Sequence, residues 1–85
     1  MSDLDADFAQ AQDDVTKLTD DPGNEAKLKL YALYKQATSG DVSGKKPGML
    51  DMVGRAKYDA WGKVKGLSTD EAKQSYIAYV RELGA

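Results

Sequence analysis

Residues 31–41 read YALYKQATSGD. Tyr31, Tyr34 and Lys35 stand three and four positions apart, the spacing that brings side chains to neighbouring parts of one helical surface. Ser39-Gly40-Asp41 then supplies a helix stop. Two phenol hydroxyls and an ammonium on one surface suit a phosphorylated aromatic ligand. The rings stack, the hydroxyls donate to oxyanions and the ammonium supplies charge. The same stripe also fits a half-buried core face with a snorkelling lysine.

Working back from Tyr31, the helix starts near Asn24, a residue type suited to the N-cap. At about 100° per residue it shows two apolar faces. Ala26, Leu30, Leu33 and Ala37 form one, with Tyr34 at its edge, and Leu28 and Tyr31 form the other, with Lys35 between them. A helix that serves only a core needs one stripe. The second face points to a ligand surface or to an edge packed on another helix.

Three further helical segments surround this one. Leu4, Phe8, Ala11, Val15 and Leu18 follow a four-three-four-three spacing, and Asp3, Asp5 and Asp7 sit at or near the first turn, where the helix dipole favours carboxylates. Asp21-Pro22-Gly23 breaks the chain before the second helix. After it, residues 39–48 hold three glycines and a proline with no hydrophobic period. This connection is longer than an ordinary helix hairpin turn, so it suits a crossing of the bundle, and its Lys45 and Lys46 come within reach of a ligand. A third helix is expected from about Leu50 to Lys65, with Val53, Ala56, Ala60, Trp61 and Val64 on its apolar arc and Gly66 as the C′ residue. Lys57 projects from inside that arc, so it must snorkel or meet an anion. Ser68-Thr69-Asp70-Glu71 is a capping box, flanked by Leu67 and Ala72 at the staple positions. Ala72, Tyr76, Tyr79, Val80 and Leu83 carry that fourth helix to the terminus.

Four helices and no strand signal imply an all-α bundle, a single domain over residues 1–85. Eighty-five residues support one modest core. The chain has no cysteine and no histidine, which excludes disulfides, Ser-His and Cys-His nucleophiles and histidine zinc sites. Ser39, Ser43, Ser68 and Ser75 have no imidazole to activate them, which leaves only carboxylate-driven hydrolysis, and no acidic pair lies among the candidate ligand residues; the expectation is no catalytic residue, no metal site and no cofactor. A net charge of −2 gives no global attraction for nucleic acid or an anionic membrane, so an anionic ligand must be met locally. No apolar run reaches membrane length and the start lacks a signal pattern. A soluble cytoplasmic protein is the expectation, and Met1 is read as its natural start.

The order of these motifs resembles the acyl-CoA-binding protein family, also called diazepam-binding inhibitor. The residues that carry the resemblance are Phe8, Tyr31-Ala32-Leu33-Tyr34-Lys35-Gln36-Ala37-Thr38, Gly40-Asp41, Pro47-Gly48 and Ala56-Lys57-Tyr58-Asp59-Ala60-Trp61. They continue through Lys65-Gly66, Ser68, Ala72 and Tyr76-Ile77. YKQAT followed by GD, PG, AKxxAW and KG is specific and spans nearly the whole chain.

The resemblance implies a four-helix, up-down-down-up bundle that holds long-chain fatty acyl-CoA without covalent chemistry, as a monomer with no stable membrane insertion and no nucleic-acid partner. By position, Tyr31 and Lys35 would meet the adenosine 3′-phosphate and Tyr34 the adenine and ligand groove. Lys57 would add a second cation, and Tyr76 would close the site from the fourth helix. Phe8 and Leu28 would line the path near the acyl chain. Relatives often carry lysine at the position of Val53, an apolar residue at that of Lys27, a basic one at that of Thr16 and tryptophan at that of Tyr58. A phosphate between Lys35 and Lys57 would account for both oddly placed lysines. The other class of reading is a helical protein-interaction module, with Leu28, Tyr31 and Trp61 receiving a partner helix.

Overall fold

The computed structural model describes residues 3–84, so Met1, read above as a natural start, lies outside it. The described residues form four helices: α1 Leu4–Val15, α2 Asn24–Ser39, α3 Met52–Lys63 and α4 Thr69–Glu82. None of them is long and apolar enough to cross a membrane.

Side-chain pairings set the directions. Asp5 pairs with Lys73 and Phe8 packs on Tyr76, so α1 runs parallel to α4. Gln36 reaches Leu67 while Lys29 lies over Tyr79, so α2 runs antiparallel to α4. Tyr31 meets Lys57 and Lys35 meets Trp61, so α3 runs parallel to α2. The result is the expected up-down-down-up order. α2 packs on both α3 and α4, and α1 packs on α4. The long connection 39–48 is what lets α3 run in the same direction as α2. The molecule is flat, 39 × 32 × 15 Å.

The core lies between α1, α2 and α4. Phe8, Ala11, Leu30, Leu33, Ala37, Ala72, Tyr76, Ile77 and Val80 form one buried cluster, with Leu4, Val15, Val64, Leu67, Tyr79 and Leu83 packed on its edge. Fully burying each large apolar side chain contributes about 1.5–3 kcal/mol. The first apolar face of α2 goes into this core. Its second face, Leu28 and Tyr31, is half-buried alongside α3.

Helix ends differ from the sequence expectation in four places. Asn24 is the first helical residue, and the cap is Gly23, which has φ 91°. The Gly23 N–H donates to Asp21 Oδ1 at 2.8 Å, and its carbonyl accepts the Lys27 N–H at 3.1 Å. That geometry requires the positive φ that glycine takes without steric cost. α1 stops at Val15, leaving Leu18 half-buried in the following turn. α3 starts at Met52 because Asp51 caps it, accepting the Gly54 N–H at 2.9 Å. A Cβ at residue 54 would stand 2.3 Å from that carboxylate, so the cap and the glycine require each other. α3 ends at Lys63 with Val64 as cap, and its last turn tightens through Val64 N–H to Trp61 and Lys65 N–H to Gly62. Gly66 therefore lies two residues beyond the cap, at φ 97°. The capping box of α4 forms as expected, with Glu71 N–H to Ser68 Oγ at 3.1 Å and Ser68 N–H to Glu71 Oε1 at 2.9 Å.

Candidate functional site

The parallel register of α2 and α3 stacks two cation–ring pairs, one turn apart. The Lys57 ammonium of α3 lies 5.3 Å from the Tyr31 ring centre on α2. The Lys35 ammonium of α2 lies 5.0 Å from the Trp61 ring on α3. Each helix thus lends a cation to the other's aromatic face, an interaction of about 0.5–1 kcal/mol at exposed sites. This explains the placement of both lysines within the chain itself. Neither ammonium is paired with a carboxylate among the described residues.

Tyr31 stands between two apolar grooves. One, of about 340 Å³, has Leu30, Tyr31, Tyr34 and Tyr76 along its walls and Val15 and Pro22 towards α1. The other, of about 350 Å³, lies on the α2–α3 seam near the helix N-termini, lined by Leu28 and Tyr31 from α2 and by Met52, Val53, Ala56 and Lys57 from α3. The stem of Lys27 borders both, while its ammonium is held by Asp21 at 3.0 Å. An amphiphile with one charged, ring-bearing end matches this pairing of apolar channels and unpaired cations.

Tyr34 and Tyr76 are set by Phe8. Phe8 is buried, stacked on Tyr34 at 6.3 Å and edge-on to Tyr76 at 5.1 Å. It backs the groove wall from inside the core. Tyr34 is exposed, so its ring offers a free face. Burial pushes the Tyr76 hydroxyl above the usual phenol range, and Tyr34 beside it adds to the effect. That hydroxyl is a neutral donor at physiological pH.

The chain was compared with known proteins. The family model described as acyl CoA binding protein matches residues 5–80. This chain belongs to the acyl-CoA-binding protein family. It is 52% identical over 80 residues to an acyl-CoA-binding protein of Brassica napus, covering 94% of this chain and 87% of that one. The structure of acyl-CoA-binding protein 2 of Oryza sativa superposes with a TM-score of 0.89 at 42% identity, covering 94% of this chain and 89% of that one. The chain is also 48% identical to part of an enoyl-CoA delta isomerase 2 of Rattus norvegicus, covering 93% of this chain but 20% of that protein.

The structure also places three residues that the sequence reading set apart from the family pattern, Val53, Thr16 and Tyr58. Val53 is 65% exposed and stands beside Met52 in the apolar wall of the α2–α3 groove. Thr16 borders the first groove, and its hydroxyl donates to the Asp13 carbonyl at 2.6 Å. Tyr58 donates its hydroxyl to the Gly44 carbonyl at 3.0 Å, pinning the long connection to α3.

The sequence reading assigned no role to Gln36, which organises the opposite end of α2. It is 1% exposed. Its Nε2 donates to the Leu67 carbonyl and to Asp41 Oδ1, both at 2.8 Å. Asp41 also accepts the Gly66 N–H at 2.8 Å, which holds its carboxyl below the usual range, with Gln36 adding to the effect. The Trp61 indole N–H donates to the Gly40 carbonyl at 2.8 Å. These bonds tie the end of α2 to the α3–α4 turn and so hold the register that puts Lys35 over Trp61. A polar residue within the apolar period of α2 was the available signal.

Proposed function

We propose that this chain is a non-catalytic carrier that binds long-chain fatty acyl-CoA thioesters reversibly, one to one, as a cytoplasmic monomer. The observation that carries the reading is the pair of lysines over Tyr31 and Trp61 on the α2–α3 seam, where Tyr31 lines two apolar grooves, Lys57 borders one of them and Lys35 lies one turn further along. Lys35 and Lys57 meet the nucleotide phosphate together with the Tyr31 hydroxyl. Tyr34 lies against the adenine, and Tyr76 closes the site. Leu28 and its groove neighbours receive the acyl chain, and Phe8 backs the Tyr34–Tyr76 wall of the adjoining groove. Phosphate contacts select coenzyme A, at about 1.5–3 kcal/mol for each charge-assisted bond. Acyl burial adds about 0.8 kcal/mol per CH₂, so partial burial of a long chain approaches the ~12 kcal/mol of nanomolar binding. With no histidine or cysteine in the chain, thioester hydrolysis lacks the usual activated nucleophile.

Calorimetry with palmitoyl-CoA, coenzyme A and palmitate tests this. Palmitoyl-CoA should bind at one site per chain and far more tightly than palmitate. Equal affinities for the two would overturn the reading, because the nucleotide would then contribute nothing.

A further inference from the structure

Two residues, Lys27 and Tyr31, line both apolar grooves. They stand four positions apart on α2, so they form one ridge along that helix. An acyl chain that runs from one groove into the other passes this ridge. At Tyr31 the ridge is charged, because the Lys57 ammonium lies 5.3 Å from the ring centre. At Lys27 it is charged as well, because that ammonium is held 3.0 Å from Asp21 Oδ2.

The turn before α2 builds the Asp21–Lys27 pair. Both partners are tied to Gly23, whose N–H donates to Asp21 Oδ1 at 2.8 Å and whose carbonyl accepts the Lys27 N–H at 3.1 Å. The bond from Gly23, and after it the bond from Lys27, hold the Asp21 carboxyl below the usual range, so it is ionised at neutral pH. A lysine without such a partner carries its ammonium out to water and leaves only its stem on the apolar surface. Here the ammonium stays with Asp21, beside the start of α2.

The α2–α3 groove is also short. Its liners on α2 run from Tyr31 back to Asn24, seven residues or about 10 Å of helix. An extended palmitoyl chain is longer than that. The apolar liners are Leu28, Met52, Val53 and Ala56, and the polar ones at the start of α2 are Asn24 and Lys27. Each methylene buried on the apolar part is worth about fourfold in affinity. A methylene laid on the ion pair gains little, because it takes water from two charges and replaces it with nothing.

We infer that the Asp21–Lys27 pair sets the acyl-chain length that this protein prefers, by marking where the apolar path ends. Affinity rises with each methylene until the chain reaches the pair and levels off beyond it. This rests on the carriage proposed above, with the acyl chain in the α2–α3 groove. Lys27 acts on the far end of the chain and takes no part in holding the phosphate.

The test is calorimetry with saturated acyl-CoA thioesters from octanoyl to eicosanoyl, each below its micelle-forming concentration, on the full chain, Lys27→Leu and Asp21→Asn. The readout is the ratio of the affinity for stearoyl-CoA to that for decanoyl-CoA. That ratio cancels any change in the nucleotide half or in the folded fraction. In the wild type, affinity should stop rising before the longest chains. Lys27→Leu extends the apolar path and should raise the ratio about tenfold or more, the worth of roughly two further methylenes. Asp21→Asn keeps an acceptor for the Gly23 N–H but releases the ammonium, and should raise the ratio by less. A wild-type affinity that climbs undiminished to eicosanoyl-CoA would overturn the inference, as would an unchanged ratio in Lys27→Leu. A ratio moved by Lys27→Leu and untouched by Asp21→Asn would overturn the pair and leave the lysine alone as the limit. If no thioester of the series binds, the carriage falls and this inference with it; if all bind and the ratio stays fixed, the inference falls alone.

Discussion

The two ends of the α2–α3 pair are built differently. At the C-terminal end, Gln36, Asp41, Gly66, Leu67, Trp61 and Gly40 are linked by hydrogen bonds of 2.8 Å, and Gln36 and Trp61 are buried. At the N-terminal end, an apolar groove lies between the helices, and Met52 and Val53 are exposed. The parallel course of the helices makes this possible. Polar bonds hold one end, apolar side chains line a groove at the other, and the two lysine–ring pairs lie between them. Stability should therefore concentrate at the closed end and recognition at the open one.

The strongest way to break that contrast is at Trp61. Trp61→Ala removes a buried aromatic and the bond to Gly40, and should cost about 3–5 kcal/mol of stability. Gln36→Ala removes the donor to the Leu67 carbonyl, leaves Asp41 with the Gly66 N–H alone of its two and opens a small cavity, a loss of about 2–4 kcal/mol. Urea unfolding midpoints measure both. The contrast fails if either costs no more than Leu50→Ala, which should be close to neutral because that side chain is already in solvent.

Next come the lysines. Lys35→Ala and Lys57→Ala should each weaken palmitoyl-CoA binding by about 1.5–3 kcal/mol. Each also forfeits a cation–ring contact, so unfolding should shift by about 0.5–1 kcal/mol and no more. Calorimetry beside urea melts separates the two effects. Unchanged binding in both variants would reduce the lysines to packing on Tyr31 and Trp61.

Acid should loosen the closed end. Hydrogen bonds from Gly66 and Gln36 hold Asp41 below the usual carboxylate range, and hydrogen bonds likewise depress Asp21, Asp59 and Glu71. A carboxylate depressed by folding stays ionised in the native state where the unfolded chain already takes up a proton. Its contribution is thus full above the ordinary value and is lost as pH falls through the folded one. Thermal melts should therefore drop below about pH 4. Asp41→Asn should show a shallower decline than wild type. An identical slope would mean that Asp41 contributes nothing through its charge.

Much of this architecture was legible in the sequence, and the closed end was the exception. Helical periods and the Ser68–Glu71 box located four helices because they depend on local chemistry. Lys57 inside an apolar arc and the second face of α2 marked the α2–α3 seam. The Gln36 network was hidden, because its partners Leu67 and Gly66 lie about thirty residues on and are joined through backbone groups that no side-chain pattern reports. The caps at Gly23 and Asp51 were missed for a related reason. Asn24 had the right residue type, but the turn geometry at Asp21–Gly23 set the start one position earlier.

The smallest expected effect tests the boundary between groove and rim at the open end. Val53 lies one turn before Lys57 and is 65% exposed, in the wall that also holds Met52 and Ala56. Val53→Lys would place a second ammonium one turn from Lys57, at the exposed rim of the groove, while its stem still covers the apolar wall. Binding should tighten by about 0.2–1 kcal/mol, since the new charge would be exposed and screened. The gain should be equal for short and long acyl chains and should shrink as salt rises, because it would come from a phosphate and not from the chain. Calorimetry across a chain-length series at two salt concentrations measures this. A gain that ignores salt, or one confined to long chains, would put Val53 on the acyl path, and the charged rim would then end at Lys57.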